Sequence, residues 1–202
     1  MDPNPQKQTV PLGLYCHVPF CPAPCDFCAF YRMRPSRADI VEYLAGIDLE
    51  VSSLELDRPV NTLYFGGGTP GMLSTRDLER LCDATHTLIK APPLEWSVEM
   101  APSTIHRTKM QMLKERGVTR VSMGVQSFDD PLLKKMGRPH VQRHVIDAYQ
   151  AIRDAGFTNV NLDMIIGVPG QTEEMLLSDL GSAVALAPEH LSLYCLTCEQ
   201  DT

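Results

Sequence analysis

Three thiols fall within eight residues, Cys21-Pro-Ala-Pro-Cys25-Asp-Phe-Cys28, in a CxxxCxxC spacing. Clustered thiolates bind metal. Three of them can hold three irons of a [4Fe–4S] cluster and leave the fourth iron open to a small molecule, whereas clusters that only carry electrons generally use four cysteines. Zinc is the competing reading, because His17 with the three cysteines makes a chemically acceptable Cys₃His set. Against zinc, His17 would point from a strand, with Pro19 stiffening the step to Cys21. The other four of the seven cysteines are scattered. Cys195 and Cys198 have the spacing of a redox pair, but positions i and i+3 of a strand face opposite sides, so these two read as chain-end thiols. Cys16 and Cys82 read as structural.

Two glycine-rich segments follow apolar runs. Phe65-Gly66-Gly67-Gly68-Thr69-Pro70-Gly71 contains GxGxxG, the dinucleotide fingerprint, yet Pro70 and a Ser74 cap delay the helix that this fingerprint should open. The simpler reading is a backbone that approaches a ligand closely at a strand end. Gly167-Val168-Pro169-Gly170-Gln171-Thr172 is either a second such approach or only a turn.

The elements that position these motifs are regular. Strands are expected over Leu12–Val18, Asn61–Gly67, Leu94–Met100, Arg120–Gln126, Asn159–Gly167 and His190–Cys198. Amphipathic helices fill the intervals at about 37–56, 74–90, 103–116, 140–155 and 172–186. Ser74 with Asp77 resembles a capping box, and Gly117 and Gly156 sit where helices end. Strand–helix alternation at intervals of about 30 residues means right-handed βαβ units and a parallel sheet. Residues 1–11 read as a loose arm and 12–202 as one domain.

Alternation along the strands shows which face meets a ligand. Val160, Leu162, Met164 and Ile166 oppose Asn159, Asn161 and Asp163; Trp96, Val98 and Met100 oppose Ser97 and Glu99. Val121, Met123 and Val125 oppose Ser122, Gly124 and Gln126, and Tyr15 shares a face with His17. One apolar and one polar face suit a curved sheet or barrel with a ligand-holding interior. Glu99 and Asp163 are costly there unless paired, either in a buried hydrogen-bond network or with a ligand.

Composition narrows the classes. The 202 residues are 44% hydrophobic and 21% charged, enough apolar content for one sizeable core. A net charge of −7 argues against a broad nucleic-acid footprint, and no apolar run reaches the roughly 18–20 residues of a membrane span. The first residues lack a signal-peptide pattern, and an odd cysteine number argues against a disulfide framework. A cytoplasmic protein is the default expectation.

The cysteine motif after a strand, followed by Gly66-Gly67-Gly68-Thr69-Pro70, resembles the radical S-adenosylmethionine (SAM) superfamily. Further segments narrow the likeness: Tyr15-Cys-His17-Val-Pro19-Phe20-Cys21, Gly124-Val-Gln126-Ser-Phe128, Gly137-Arg138-Pro-His140, Asp163-Met-Ile-Ile-Gly167-Val-Pro169-Gly170-Gln171-Thr172 and His190-Leu-Ser192-Leu-Tyr194. Together they resemble the oxygen-independent coproporphyrinogen III oxidase-like family, from about residue 14 to the end. The resemblance implies a partial (β/α)6 TIM-like barrel, ending here after the sixth strand, with the cluster held by Cys21, Cys25 and Cys28 at its rim. It implies SAM bound on the open iron, with reductive cleavage of its sulfonium to methionine and a hydrogen-abstracting 5′-deoxyadenosyl radical. By motif position it implies SAM contacts from Tyr15, Phe27, Gly67, Gly68, Thr69, Glu99, Gln126, Arg138 and Asp163. Strand alternation had already turned Glu99, Gln126 and Asp163 inward.

Two departures place the chain within the family. The decarboxylating oxidases have a fourth cysteine two residues after the third and a long N-terminal arm. Here that position is Phe30, and about a dozen residues precede the first strand. The pattern is more similar to the haem-chaperone (HemW-type) branch, which implies porphyrin or haem as a further ligand and a haem-acceptor protein as partner. The alternatives are the oxidase itself, which converts propionates to vinyls, a radical SAM enzyme acting on nucleic acid, disfavoured by the charge, and a zinc-bound structural module. Family members are roughly twice this length, so a fragment is expected, without a sixth helix and C-terminal substrate domain after Thr202.

Overall fold

The computed structural model describes residues 10–22, 25 and 28–197. Six strands form one parallel sheet in the order of the chain: β1 Leu12–Val18, β2 Val60–Gly67, β3 Glu95–Met100, β4 Arg120–Gln126, β5 Val160–Ile166 and β6 His190–Cys195. The sheet is open, with β1 and β6 at its edges. Six α-helices fill the five intervals between strands, two of them between β4 and β5: α1 Arg37–Ser53, α2 Thr75–His86, α3 Arg107–Glu115, α4 Asp130–Lys135, α5 Gln142–Asp154 and α6 Glu173–Ala185. This is the expected α/β partial barrel.

The apolar strand faces make the core with the helices. Trp96, Val98, Val121, Met123, Val125, Val160 and Leu162 are fully enclosed with Leu44 of α1, Leu78 and Leu81 of α2, Met110 and Leu113 of α3 and Val145 and Ile152 of α5. The Trp96 indole meets the Phe65 ring edge-on, 5.6 Å between centroids. Strand period and helix period therefore agree on one core, which is what a consistent sequence requires.

Capping fixes where the helices start. In α1, Ser36 and Asp39 form a reciprocal capping box: the Asp39 amide donates to Ser36 Oγ and the Ser36 amide to Asp39 Oδ2. At α2 the Asp77 amide donates to Ser74 Oγ, but the Ser74 hydroxyl returns to the Asp77 carboxylate at 2.6 Å, so only half of the expected box forms. Gly117 and Gly156 follow α3 and α5 with φ of +91° and +83°, the left-handed ends that glycine permits.

Some boundaries differ from expectation. The helix expected over 103–116 is split: Pro102–Thr104 is a 3-10 turn, Ile105 and His106 are extended, and His106 caps α3 through its ring. Helix α2 stops at His86 rather than near residue 90. Helix α4 was not expected at all; Asp129 caps it by accepting from the Leu132 amide at 2.8 Å. Strand β6 ends at Cys195, because its partner β5 ends at Ile166 before Gly167 turns away with φ +79°. Cys198 lies outside the described residues, as does most of the expected arm. Among the described residues no helix is long and apolar enough to cross a membrane.

Candidate cluster and cofactor site at the barrel mouth

The cysteine loop leaves β1 and returns to it. The Met33 amide donates to the Pro19 carbonyl at 2.8 Å and the Cys21 amide to the Met33 carbonyl at 3.0 Å, which closes the loop at its base. Within it, the Arg32 guanidinium donates to the carbonyls of Cys28 and Cys25, the second at 2.9 Å. One arginine thus fixes the backbone at two of the three cysteines. All three cysteine side chains are half-buried free thiols. Burial pushes the Cys21 thiol up, while its contact with Thr69 Oγ1 at 3.5 Å opposes that rise. Among the described residues, no three His, Cys, Asp or Glu side chains converge on a point where a single metal ion would sit.

The glycine segment after β2 lies directly against this loop. The Gly68 amide donates to the Val18 carbonyl at 2.8 Å and the Thr69 amide to the Phe20 carbonyl at 2.7 Å. Side chains are excluded by contact. A Cβ on Gly68 would come within 2.6 Å of the Phe20 carbonyl oxygen, and one on Gly67, whose φ is +107°, would overlap the His17 ring. On the third strand, Glu99 accepts from the Tyr64 hydroxyl at 2.7 Å and from the Gly67 amide at 3.1 Å. Burial raises its carboxyl above the usual carboxylate range; the two hydrogen bonds pull the other way, and Asp163 adds to the rise. The Glu99 carboxylate is therefore paired, as an interior acid must be.

The other expected contacts sit around the same mouth. Tyr15, 56% exposed, stacks on Tyr64 at 6.0 Å and places its hydroxyl 3.1 Å from His17 Nδ1. Gln126 ends β4 in a left-handed conformation, φ +69°, unusual for a residue with a side chain. Its amide folds back over Gly124, where a Cβ would meet Gln126 Nε2 at 2.9 Å. Arg138 spans two elements: Nη1 donates to Cys25 Sγ at 3.3 Å and Nη2 to the Gly124 carbonyl at 3.1 Å. Asp163 stands deeper, accepting from Ser122 Oγ at 2.9 Å and Asn161 Nδ2 at 2.7 Å. Asn161 in turn accepts from Ser192 Oγ at 3.0 Å. Asp163 thus belongs to a hydrogen-bonded interior network, with no direct bond to the cysteine loop among the described residues. Phe27 lies outside the described residues.

Three buried nitrogens of the mouth and its cysteine loop have no partner among the described residues, Arg138 Nε, His17 Nε2 and Arg32 Nε. With a half-buried carboxylate, a guanidinium against a cysteine and a side-chain-free backbone cradle, the donor set fits a cluster carrying a small zwitterionic ligand. Sequence reasoning missed three participants. Tyr64 was legible, since strand alternation turns it inward opposite Phe65. Arg32 and Lys109, a buried lysine beneath the glycine segment, carry no local signal.

A family model, the Radical SAM superfamily, matches residues 15–181. The haem chaperone HemW of Bacillus subtilis (strain 168) is 37% identical over 193 residues, covering 93% of this chain and 51% of that protein. HemW of Escherichia coli (strain K12) is 35% identical over 198 residues, covering 95% and 52%. The chain spans about half the length of these curated relatives. Among solved structures, coproporphyrinogen III oxidase (HemN) from Escherichia coli superposes with a TM-score of 0.85 at 30% identity, over 93% of this chain and 44% of that one. The methyltransferase TsrM from Kitasatospora setae, at 15% identity and a TM-score of 0.63, shares the fold. The chain belongs to the radical SAM superfamily, in the HemN-like group whose haem chaperones of the HemW type it resembles throughout its described barrel.

Proposed function

We propose that this chain is the radical SAM core of a haem-chaperone-type protein, with Cys21, Cys25 and Cys28 holding a [4Fe–4S] cluster and the barrel mouth holding SAM. Superfamily membership implies both groups. One observation carries the residue assignment: the Arg138 guanidinium, its Nε buried and without a partner among the described residues, lies 3.3 Å from Cys25 Sγ, while the Glu99 carboxylate is tied to the glycine segment beside the same loop. A guanidinium pairs with a carboxylate and a carboxylate with an ammonium, and these are the two charged groups of the SAM amino-acid end.

When bound, the cluster supplies the electron for reductive cleavage of the SAM sulfonium. The protein's own part is positional. Arg32 holds the carbonyls of Cys25 and Cys28, and Gly67, Gly68 and Thr69 offer backbone at close range. Tyr15 forms an exposed aromatic wall, and Gln126 and Asp163 present polar groups from β4 and β5. Haem as a further ligand and an acceptor protein as partner rest on the HemW relatives and on Phe30 at the position of the oxidases' fourth cysteine. A cytoplasmic setting is part of the same proposal.

The test is haem titration of the anaerobically reconstituted protein beside an assay for porphyrinogen decarboxylation. Stoichiometric haem binding without decarboxylation supports the chaperone reading. Decarboxylation of coproporphyrinogen would replace it with the oxidase reading. Failure to bind haem would restrict the proposal for this chain to the SAM core.

A further inference from the structure

A charged group lies beneath the glycine segment. Lys109, in the first turn of α3, is 4% exposed. Its Nζ donates to the Gly71 carbonyl at 2.5 Å, across 38 residues of sequence. Among the described residues no carboxylate forms an ion pair with it. Burial lowers its ammonium to about 8.

For folding alone this arrangement is unfavourable twice over. A buried, unpaired ammonium costs free energy that an apolar chain of similar length does not. A cation in the first turn also opposes the helix dipole, which favours acids there. The compensation lies in what Nζ holds. Gly71 closes the segment that begins at Gly66. Its front is tied down by the amides of Gly67, Gly68 and Thr69, bonded to Glu99, Val18 and Phe20. Its rear is tied by Lys109. Gly71 is itself tightly packed, since a Cβ there would overlap Thr104 and lie 2.7 Å from Met100 Sδ.

We infer that Lys109 is a positioning residue: by clamping the Gly71 carbonyl it fixes the backbone of Gly67, Gly68 and Thr69 in the form that receives SAM. This rests on the proposal that those three residues contact SAM. It predicts that stability and ligand affinity move in opposite directions when the clamp is removed, because the charge costs the fold what it gives the site.

The experiment uses the full chain, anaerobically reconstituted, as wild type, Lys109→Met, Gly71→Ala and Glu99→Ala. Iron content, Tm and the SAM Kd by equilibrium dialysis are measured for each. For Lys109→Met the expected result is unchanged iron, a Tm equal to or above wild type, and a SAM Kd raised at least tenfold. Gly71→Ala, which displaces the same turn from its other side, raises the Kd as well. If Glu99→Ala weakens SAM binding while Lys109→Met stays within twofold of wild type, the clamp is overturned and the site reading stands. If Lys109→Met loses affinity only together with iron and Tm, Lys109 is structural and the inference fails. If Glu99→Ala also binds SAM as wild type does, the site reading fails and the clamp with it.

Discussion

Two glycine-bearing segments follow strands of this barrel, and they use glycine for different reasons. After β2, Gly66, Gly67, Gly68 and Gly71 all lack room: added methyl groups would meet Tyr64, His17, the Phe20 backbone and Met100. After β5, Gly167 and Gly170 have φ of +79° and +82°, but among the described residues a methyl on Gly167 meets nothing within 4 Å and one on Gly170 only the end of Lys135 at 3.2 Å. The first segment is glycine-rich because its neighbours leave no room for a side chain, the Phe20 backbone at Gly68 and the Tyr64, His17 and Met100 side chains at the other three. The second is a turn, closed by the Gln171 side chain accepting from the Gly167 amide at 2.8 Å. A glycine motif in sequence cannot distinguish close approach from left-handed geometry, because both demand the same residue.

The comparison can be broken at several levels. The largest effect belongs to the cysteine loop: Cys25→Ala abolishes the cluster, since two thiolates hold it poorly, and iron analysis after reconstitution reads nearly none. Next, Gly68→Ala drives a methyl into the Phe20 carbonyl, so the SAM Kd rises more than tenfold and Tm falls with it, as expected for overpacking that costs about 1–3 kcal/mol. Gly167→Ala, by contrast, imposes only left-handed strain of roughly 1–2 kcal/mol and leaves iron content and SAM affinity at wild-type values. A SAM defect in Gly167→Ala equal to that of Gly68→Ala would erase the distinction. Cys195→Ser, at the exposed end of β6, changes neither iron nor affinity.

Acid sharpens the contrast from another side. His140, 1% exposed, has its Nε2 3.1 Å from the Val125 carbonyl, where it donates. Burial, with nearby Arg138 adding to it, lowers the imidazole from 6.5 to about 4. The unfolded chain takes up this proton below pH 6.5 while the folded one does not. Stability is therefore lost as pH falls from 6.5 to 4, by ~3 kcal/mol from this group. Urea titrations at pH 7 and pH 4.5 should differ by less in His140→Gln than in wild type.

Legibility from sequence followed the range of the forces involved. Strand alternation turned Glu99, Gln126 and Asp163 inward, and the sheet obeys it at Glu99 and Asp163, because a sheet face is a period-two property of the local chain; at Gln126 the register shifts and the backbone is left-handed, so its amide reaches Gly124 by folding back rather than by alternation. The pairing of Glu99 and Asp163 was legible as a requirement, yet the partners Tyr64 and Ser122 emerged only in the folded sheet. Helix α4 escaped because six residues carry too little periodicity, although Asp129-Asp130-Pro131 is a helix-start pattern. Arg32 and Lys109 were illegible in principle: nothing near a lone basic residue tells which carbonyl it will reach.

The central claim is an iron–sulfur cluster with one iron open to SAM, and EPR of the anaerobically reconstituted, reduced protein tests it most directly. About four irons per chain are expected, the stoichiometry of a single [4Fe–4S] cluster, with a spectrum that shifts when SAM is added. Bound zinc without iron, or a cluster signal indifferent to SAM, would contradict it.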